Sequence, residues 1–122
     1  MGRGLIHGDA WAGNLLAGPT PHAVLLGDWD SVSAGPREID LVPSWHAARR
    51  YRDSPTWAGR FAARYGYDLS TSPAFELLME LRDFVQISGP LRHAAHSPRH
   101  AAALRQRLDG TRTRDTGRWS QV

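Results

Sequence analysis

The apolar pattern of this chain changes period once, at Ile39, and that change limits what it can fold into. Before it, apolar residues come in short runs (Leu5-Ile6, Leu15-Leu16, Ala23–Leu26) broken by Gly, Pro, Asn and Asp. Runs this short cannot sustain a helix and read as strands joined by loops. The spacing predicts a strand over 4–6, a loop in "HGDAWAGN", a strand at Leu15-Leu16, a turn over Ala17–His22, and a second apolar run ending in acids. "SVSAGPRE", Ser31–Glu38, reads as a loop.

From Ile39 onward the period is helical. Asp40 is a first-turn acid or N-cap, and Leu41, Val42, Trp45 and Ala48 or Arg49 recur at helical spacing up to about Tyr51. Three Ser-Pro pairs (Ser54-Pro55, Ser72-Pro73, Ser97-Pro98) each place a capping hydroxyl before a proline suited to the first helical position. They predict helices ending at Gly66, before Gly89-Pro90, and at Asp109-Gly110. The expected fold class is α+β, a short β-hairpin followed by about four helices over 39–110. A polar tail over 111–122 follows, in which Trp119 alone is expected to dock.

At 122 residues the chain is expected to be one domain with a modest core. It has no apolar run near the roughly 18 residues of a membrane span and no signal-peptide layout. The absence of cysteine excludes disulfides and thiolate metal sites and fits a reducing compartment, so the expected location is cytoplasmic. All fifteen basic residues are Arg. Residues 1–40 hold five acids (Asp9, Asp28, Asp30, Glu38, Asp40) against Arg3 and Arg37, whereas the chain as a whole is net +3. Charge segregated in this way is not a uniform nucleic-acid surface. Arg105, Arg107, Arg112, Arg114 and Arg118 read as a solvated end, and nucleic acid is not an expected partner.

Against this background, one constellation carries chemistry. His7, Gly8, Asp9 and Asn14 have the form H-G-D-x-x-x-x-N, and Asp28 follows fourteen residues after Asn14 at the end of the next apolar run. Protein kinases space their catalytic Asp, Asn and metal-binding Asp comparably, in H-R-D-x-x-x-x-N and then D-F-G. Phosphoryl transfer spreads charge over the moving group's oxygens, so the enzyme supplies mainly positioning and Mg²⁺. Mg²⁺ takes one or two carboxylates plus substrate phosphates, roles that Asp28 and the amide oxygen of Asn14 suit. Asp9 suits a group that orients the attacking hydroxyl and takes its proton late, because a carboxylate of pKa about 3.9 is too weak to remove it beforehand. Gly8 and Gly13 permit a tight loop.

"LIHGDAWAGNLL" followed by "LLGDWDSVSAGPREIDLV" resembles the C-terminal lobe of the aminoglycoside phosphotransferase and choline kinase family, whose fold is protein-kinase-like. The resemblance is strong over Leu5–Val42 and weaker through "RYGYDLS" and the later helices. It implies a C-lobe over 1–110 with a catalytic loop at 5–16 and a metal-binding loop at 26–40. Asp9 would be the catalytic residue and His7 would support its loop. Asn14 and Asp28 would be Mg²⁺ ligands, and Gly8 and Asp40 would brace the loop. The implied activity is a kinase reaction carrying the γ-phosphoryl of ATP or GTP to a hydroxyl of a small molecule such as an aminoglycoside or amino alcohol. The family's N-terminal lobe, with its five-stranded sheet and phosphate-gripping lysine, has no counterpart in the sequence. A truncated or decayed gene, a late start codon and half of a split enzyme all fit. So does an inactive remnant or partner-binding module, whose uncovered apolar floor near Leu15, Leu16, Val24 and Leu26 would favour self-association.

Other residues admit plainer readings. Asp30 either assists the metal or stands behind it as an exposed acid. Trp11 either lines the substrate mouth or packs, and Trp29 is expected to pack beneath the loop as core, the alternative being that it stacks on a ligand. His93, His96 and His100 have metal-like spacing, but Pro98 interrupts it and they read as surface histidines. Glu76, Glu80 and Asp83 share a helix face that reads as solvated, the alternative being attraction of a cationic substrate.

Overall fold

The computed structural model describes residues 1–51 and 55–122, which form two compact units, Met1–Ser44 and Trp45–Val122. The Ser54 cap lies outside the described residues. The architecture is mixed α+β, with two small antiparallel sheets and five α-helices among the described residues.

In the first unit, strand β1 (Arg3–Ile6) pairs with β4 (Ser33–Pro36), from Arg3 opposite Pro36 to Ile6 opposite Ser33. Strands β2 (Leu15–Ala17) and β3 (Val24–Leu26) form the hairpin expected from the sequence, with Leu15 opposite Leu26. Its turn is closed by Gly18 N donating to the Ala23 carbonyl at 2.9 Å. The segment read as a loop, Ser31–Glu38, instead contains β4. Strand pairing is made by backbone groups, so a stretch with no apolar alternation can still join a ladder. Gly35 is buried there, and a Cβ on it would lie 2.8 Å from Ile6 Cδ1, so the missing side chain makes room for Ile6. Pro36, which cannot donate, sits at the strand's last position. A 3-10 turn over Arg37–Asp40 then leads to buried Leu41 and Val42.

Helix α1 spans Val42–Arg50. The second unit continues with α2 (Pro55–Tyr65), α3 (Phe75–Val85), α4 (Ser88–His93) and α5 (Pro98–Thr113). Leu69, Met79 and Ala103 are almost fully buried, with Trp45, Ala62 and Trp119 close behind. Trp57, Phe61 and Tyr65 stack along α2 at 5.5 and 5.6 Å, the i, i+4 spacing of one helix face. Ser97 caps α5 as expected, its Oγ accepting from His100 N, with Pro98 in the first turn.

Helix α3 begins at Phe75, with Ala74 rather than Ser72 at its N-cap, and ends at Val85, before Gly89-Pro90 as expected. Gly89-Pro90 itself lies in the first turn of α4, a helix that the sequence pattern does not predict. A first-turn N–H has no intrahelical partner to lose, and glycine before proline avoids the clash that a Cβ would create there. Helix α5 passes through Asp109-Gly110 to Thr113 and ends where Arg114 turns left-handed at φ 53°. Beyond it the chain is held down, with Arg50 Nη1 donating to the carbonyls of Asp115 (2.9 Å) and Gly117 (2.7 Å). Trp119 is buried and donates its backbone N–H to the Arg50 carbonyl at 2.8 Å, with the Arg50 guanidinium 4.5 Å from its ring centre.

Candidate active site

The catalytic-type loop begins where β1 ends. His7 is buried, and both its ring nitrogens are engaged: Nε2 lies 2.8 Å from the Gly27 carbonyl, and Asp9 N donates to Nδ1 at 3.3 Å. These partners assign the neutral tautomer with hydrogen on Nε2. The ring also meets the edge of Trp29 at 4.7 Å. His7 is thus a tie between two loops, fixing the backbone beneath Asp9 rather than facing a reactant.

Asp40 braces the same turn. One carboxylate oxygen accepts from His7 N and the other from Gly8 N, both at 2.8 Å. Adjacent N–H groups converge on one carboxylate because the turn places Gly8 at φ 85°. Gly8 is required twice over: L-residues avoid that φ, and a Cβ there would lie 2.5 Å from the Ser31 carbonyl oxygen.

Asn14 closes the loop. Its Nδ2 donates to the Asp9 carbonyl at 2.9 Å, and its backbone N–H donates to the Trp11 carbonyl at 3.0 Å. With the amide nitrogen so used, Oδ1 is the atom left for a cation. The Asn14 carbonyl accepts from Gly27 N at 2.8 Å, which extends the β2–β3 ladder by one rung and sets Asn14 beside the residue before Asp28. The hairpin therefore brings the two sequence-predicted metal ligands to one end.

Asp28 is exposed and adopts the left-handed conformation at φ 59°, ψ 62°. Apart from Arg114 it is the only non-glycine residue at positive φ among the described residues. Asp tolerates this region better than most residues, at some cost. Its carboxylate does not cap the 3-10 turn of Trp29–Ser31 that follows. Asp30 in that turn is exposed. One carboxylate and one amide oxygen, both hard donors, suit Mg²⁺, which completes its shell with water and phosphate oxygens. Among the described residues no group of three or more His, Cys, Asp or Glu could hold a metal by itself.

Of the two loop tryptophans, Trp29 departs from expectation. Trp29 is 52% exposed rather than core, anchored by Nε1 donating to the Leu26 carbonyl at 2.6 Å and by its contact with His7. Trp11 is 50% exposed and its indole lies against Gly13. Sequence reasoning missed the role of the Gly27 carbonyl as the His7 partner, since a backbone acceptor leaves no trace in residue type.

In the second unit the acidic face of α3 is not simply solvated. Asp83 is buried, accepting from His46 Nε2 and Arg50 Nε at 2.8 and 2.9 Å and pairing with Arg50 Nη2. Glu76 forms a two-point pair with Arg49 at 2.9 and 2.8 Å. Arg49, Arg50, Glu76 and Asp83 line a pocket of about 260 Å³ with Glu80, Arg114 and Asp115, in which the Arg49–Glu76 and Arg50–Asp83 pairs match each other's charge. His93 and His96 are exposed, as expected.

A model of the family described as "Phosphotransferase enzyme family" matches residues 2–81, a span that contains every residue of the loop cluster. Comparison with curated proteins gives no match, and neither does comparison with solved structures.

Proposed function

Since this chain belongs to the phosphotransferase enzyme family, we propose that its first unit is the catalytic half of a kinase-like C-lobe that transfers the γ-phosphoryl of ATP or GTP to a small-molecule hydroxyl. The observation that carries this reading is the convergence of Asn14 and Asp28 at one end of the β2–β3 hairpin, beside a loop that His7 and Asp40 hold rigid.

In this reading Asp9 accepts a hydrogen bond from the acceptor hydroxyl and aligns its oxygen with the γ-phosphorus. As the new O–P bond forms and the bond to the β-phosphate oxygen breaks, the hydroxyl proton passes to the Asp9 carboxylate and the nucleoside diphosphate leaves. Asn14 Oδ1 and the Asp28 carboxylate would hold Mg²⁺, which neutralises charge on the phosphate oxygens when bound. His7, Gly8 and Asp40 act one step back, through the backbone that carries Asp9. With the loop pre-set, little reorganisation is needed at the moment of transfer.

A second reading, a partner-binding module of the same fold, is favoured by one observation. Leu15, Leu16, Val24 and Leu25 are all more than half exposed on a hairpin with apolar residues on both faces. Light scattering of the purified chain tests it, with growth in mass as concentration rises as the expected sign.

The phosphotransferase reading is tested by thermal unfolding with Mg²⁺ and ATP or GTP, for the native sequence and Asp28→Ala. A ligand at 100 times its Kd adds about 2.7 kcal/mol, a shift of several degrees for a chain of this size. The expected result is a rise needing nucleotide, Mg²⁺ and Asp28 together. A rise that Asp28→Ala retains, or none in either protein, would overturn the reading.

A further inference from the structure

We propose that the outer face of α3 and α4 is a self-association surface on which a second copy of this chain lies antiparallel. The proposal is independent of the phosphotransferase reading and of the exposed hairpin, since it concerns a face of the second unit alone. Leu77, Leu81, Phe84, Ser88 and Leu91 follow one another at alternating steps of four and three residues, and Ala95 extends the series into the turn after α4. Gln86 and Ile87, between the two helices, keep a right-handed backbone (φ −69°, ψ −9° and φ −67°, ψ −32°), so α4 takes up the phase of α3. Burial follows the same phase: Met79, Asp83 and Pro90 are buried, whereas all six residues of the series are exposed.

Steps of four and three are the seam by which one helix packs along another. A surface helix ordinarily keeps polar residues on its outer side, yet here Leu77, Leu81, Phe84 and Leu91 are each more than half exposed along one line. A contiguous apolar patch of this kind marks an interaction site rather than scattered surface residues. From Leu77 to Ala95 the seam runs about 27 Å at 1.5 Å per residue, long enough for two copies to reach the roughly 1,000 Å² that a specific interface has to clear.

The order of residues along the seam specifies a second copy as the occupant. With Leu81 set opposite Leu91 of an antiparallel copy, Phe84 falls opposite Ser88 and Leu77 opposite Ala95. The largest side chain thus meets a small one and each layer fills without a void. A parallel arrangement would set Phe84 on Phe84 and Ser88 on Ser88, crowding one layer and leaving the next empty. Charge selects the same direction: the antiparallel alignment levels Glu80 with Arg92 and Glu76 with His96 of the second copy, acidic end against basic end, whereas the parallel one sets acids beside acids. The pairing is isologous, so it closes at two chains.

The test is sedimentation equilibrium of the full chain over a range of concentrations, with circular dichroism to check that each variant folds. The mass is expected to rise from one chain to two and stop there. Phe84→Glu should weaken association by at least about thirtyfold, the effect of losing a central anchor, while Leu16→Glu on the β2–β3 hairpin leaves it unchanged. Orientation is read by cross-linking, because the chain has no cysteine of its own. Leu81→Cys and Leu91→Cys chains, mixed and treated with a thiol oxidant, should form a disulfide-linked dimer in much higher yield than either variant alone. A single-chain mass at about 1 mM, a mass that grows past two chains, or a dimer that survives Phe84→Glu would overturn the proposal. So would loss of the dimer in Leu16→Glu, which would place association on the hairpin, or cross-linking of each cysteine variant alone as readily as of the mixture. Should Phe84→Glu fail to fold, the mixed cysteine pair decides.

Discussion

At the scale of single residues, the loop is set by two backbone conformations of different legibility. Gly8 at φ 85° was readable, because a glycine inside H-G-D signals a turn that a side chain would obstruct. Asp28 at φ 59° was not, since Asp ordinarily sits at negative φ and its residue type indicated only a ligand. Asp40 was placed by motif resemblance, but its grip on two consecutive N–H groups is a matter of three-dimensional convergence across 32 and 33 residues. Gly8→Ala combines a left-handed penalty of about 1–2 kcal/mol with a contact of 2.5 Å to the Ser31 carbonyl oxygen, which is backbone and cannot swing away. Urea unfolding should show a loss of about 2 kcal/mol or more. A loss below about 0.5 kcal/mol would mean that the turn does not have this conformation.

At the scale of elements, the hairpin and the capped start of α5 followed from local chemistry, and the failures were tertiary. Strand β4 carries no alternation because Gly35 is there to receive Ile6, a fact about its partner strand. Helix α5 overran its glycine because the chain after it is fastened back to Arg50, through the carbonyls of Asp115 and Gly117. The Asp83 cluster joining α1 and α3 has a consequence for pH. Burial lowers the His46 pKa below its ordinary 6.5, with the Arg82 and Arg50 charges adding to the effect and the Asp83 hydrogen bond opposing it. Burial alone would raise the Asp83 pKa, but hydrogen bonds from His46 and Arg50 outweigh it and hold the carboxyl below its ordinary 3.8. In both cases the unfolded chain binds the proton first, so stability falls as pH falls. The His46 contribution begins to be lost near pH 6.5 and the Asp83 contribution below about pH 4. The melting temperature should therefore decline between pH 7 and 5, and His46→Gln should flatten that decline. An unchanged slope in the variant would remove His46 from the explanation.

At the scale of the whole molecule, the proposed chemistry falls to the first unit, and the second builds a helical body around Leu69, Met79 and Ala103. This division was legible in the change of period at Ile39 and in the gathering of acids before residue 41. The route by which a buried His, a bracing Asp and a backbone carbonyl combine to hold one loop was not, because it depends on which loops meet. The central claim is that this loop and the hairpin end beside it form a half-site for a metal-bound nucleotide. Its most direct test is to add Mn²⁺ in place of Mg²⁺ with ATP and to follow paramagnetic broadening of the backbone amides by NMR. The expected result is broadening centred on residues 13–15 and 27–29 that needs ATP and disappears in Asp28→Ala. Broadening centred elsewhere, or unchanged in Asp28→Ala, would contradict the claim.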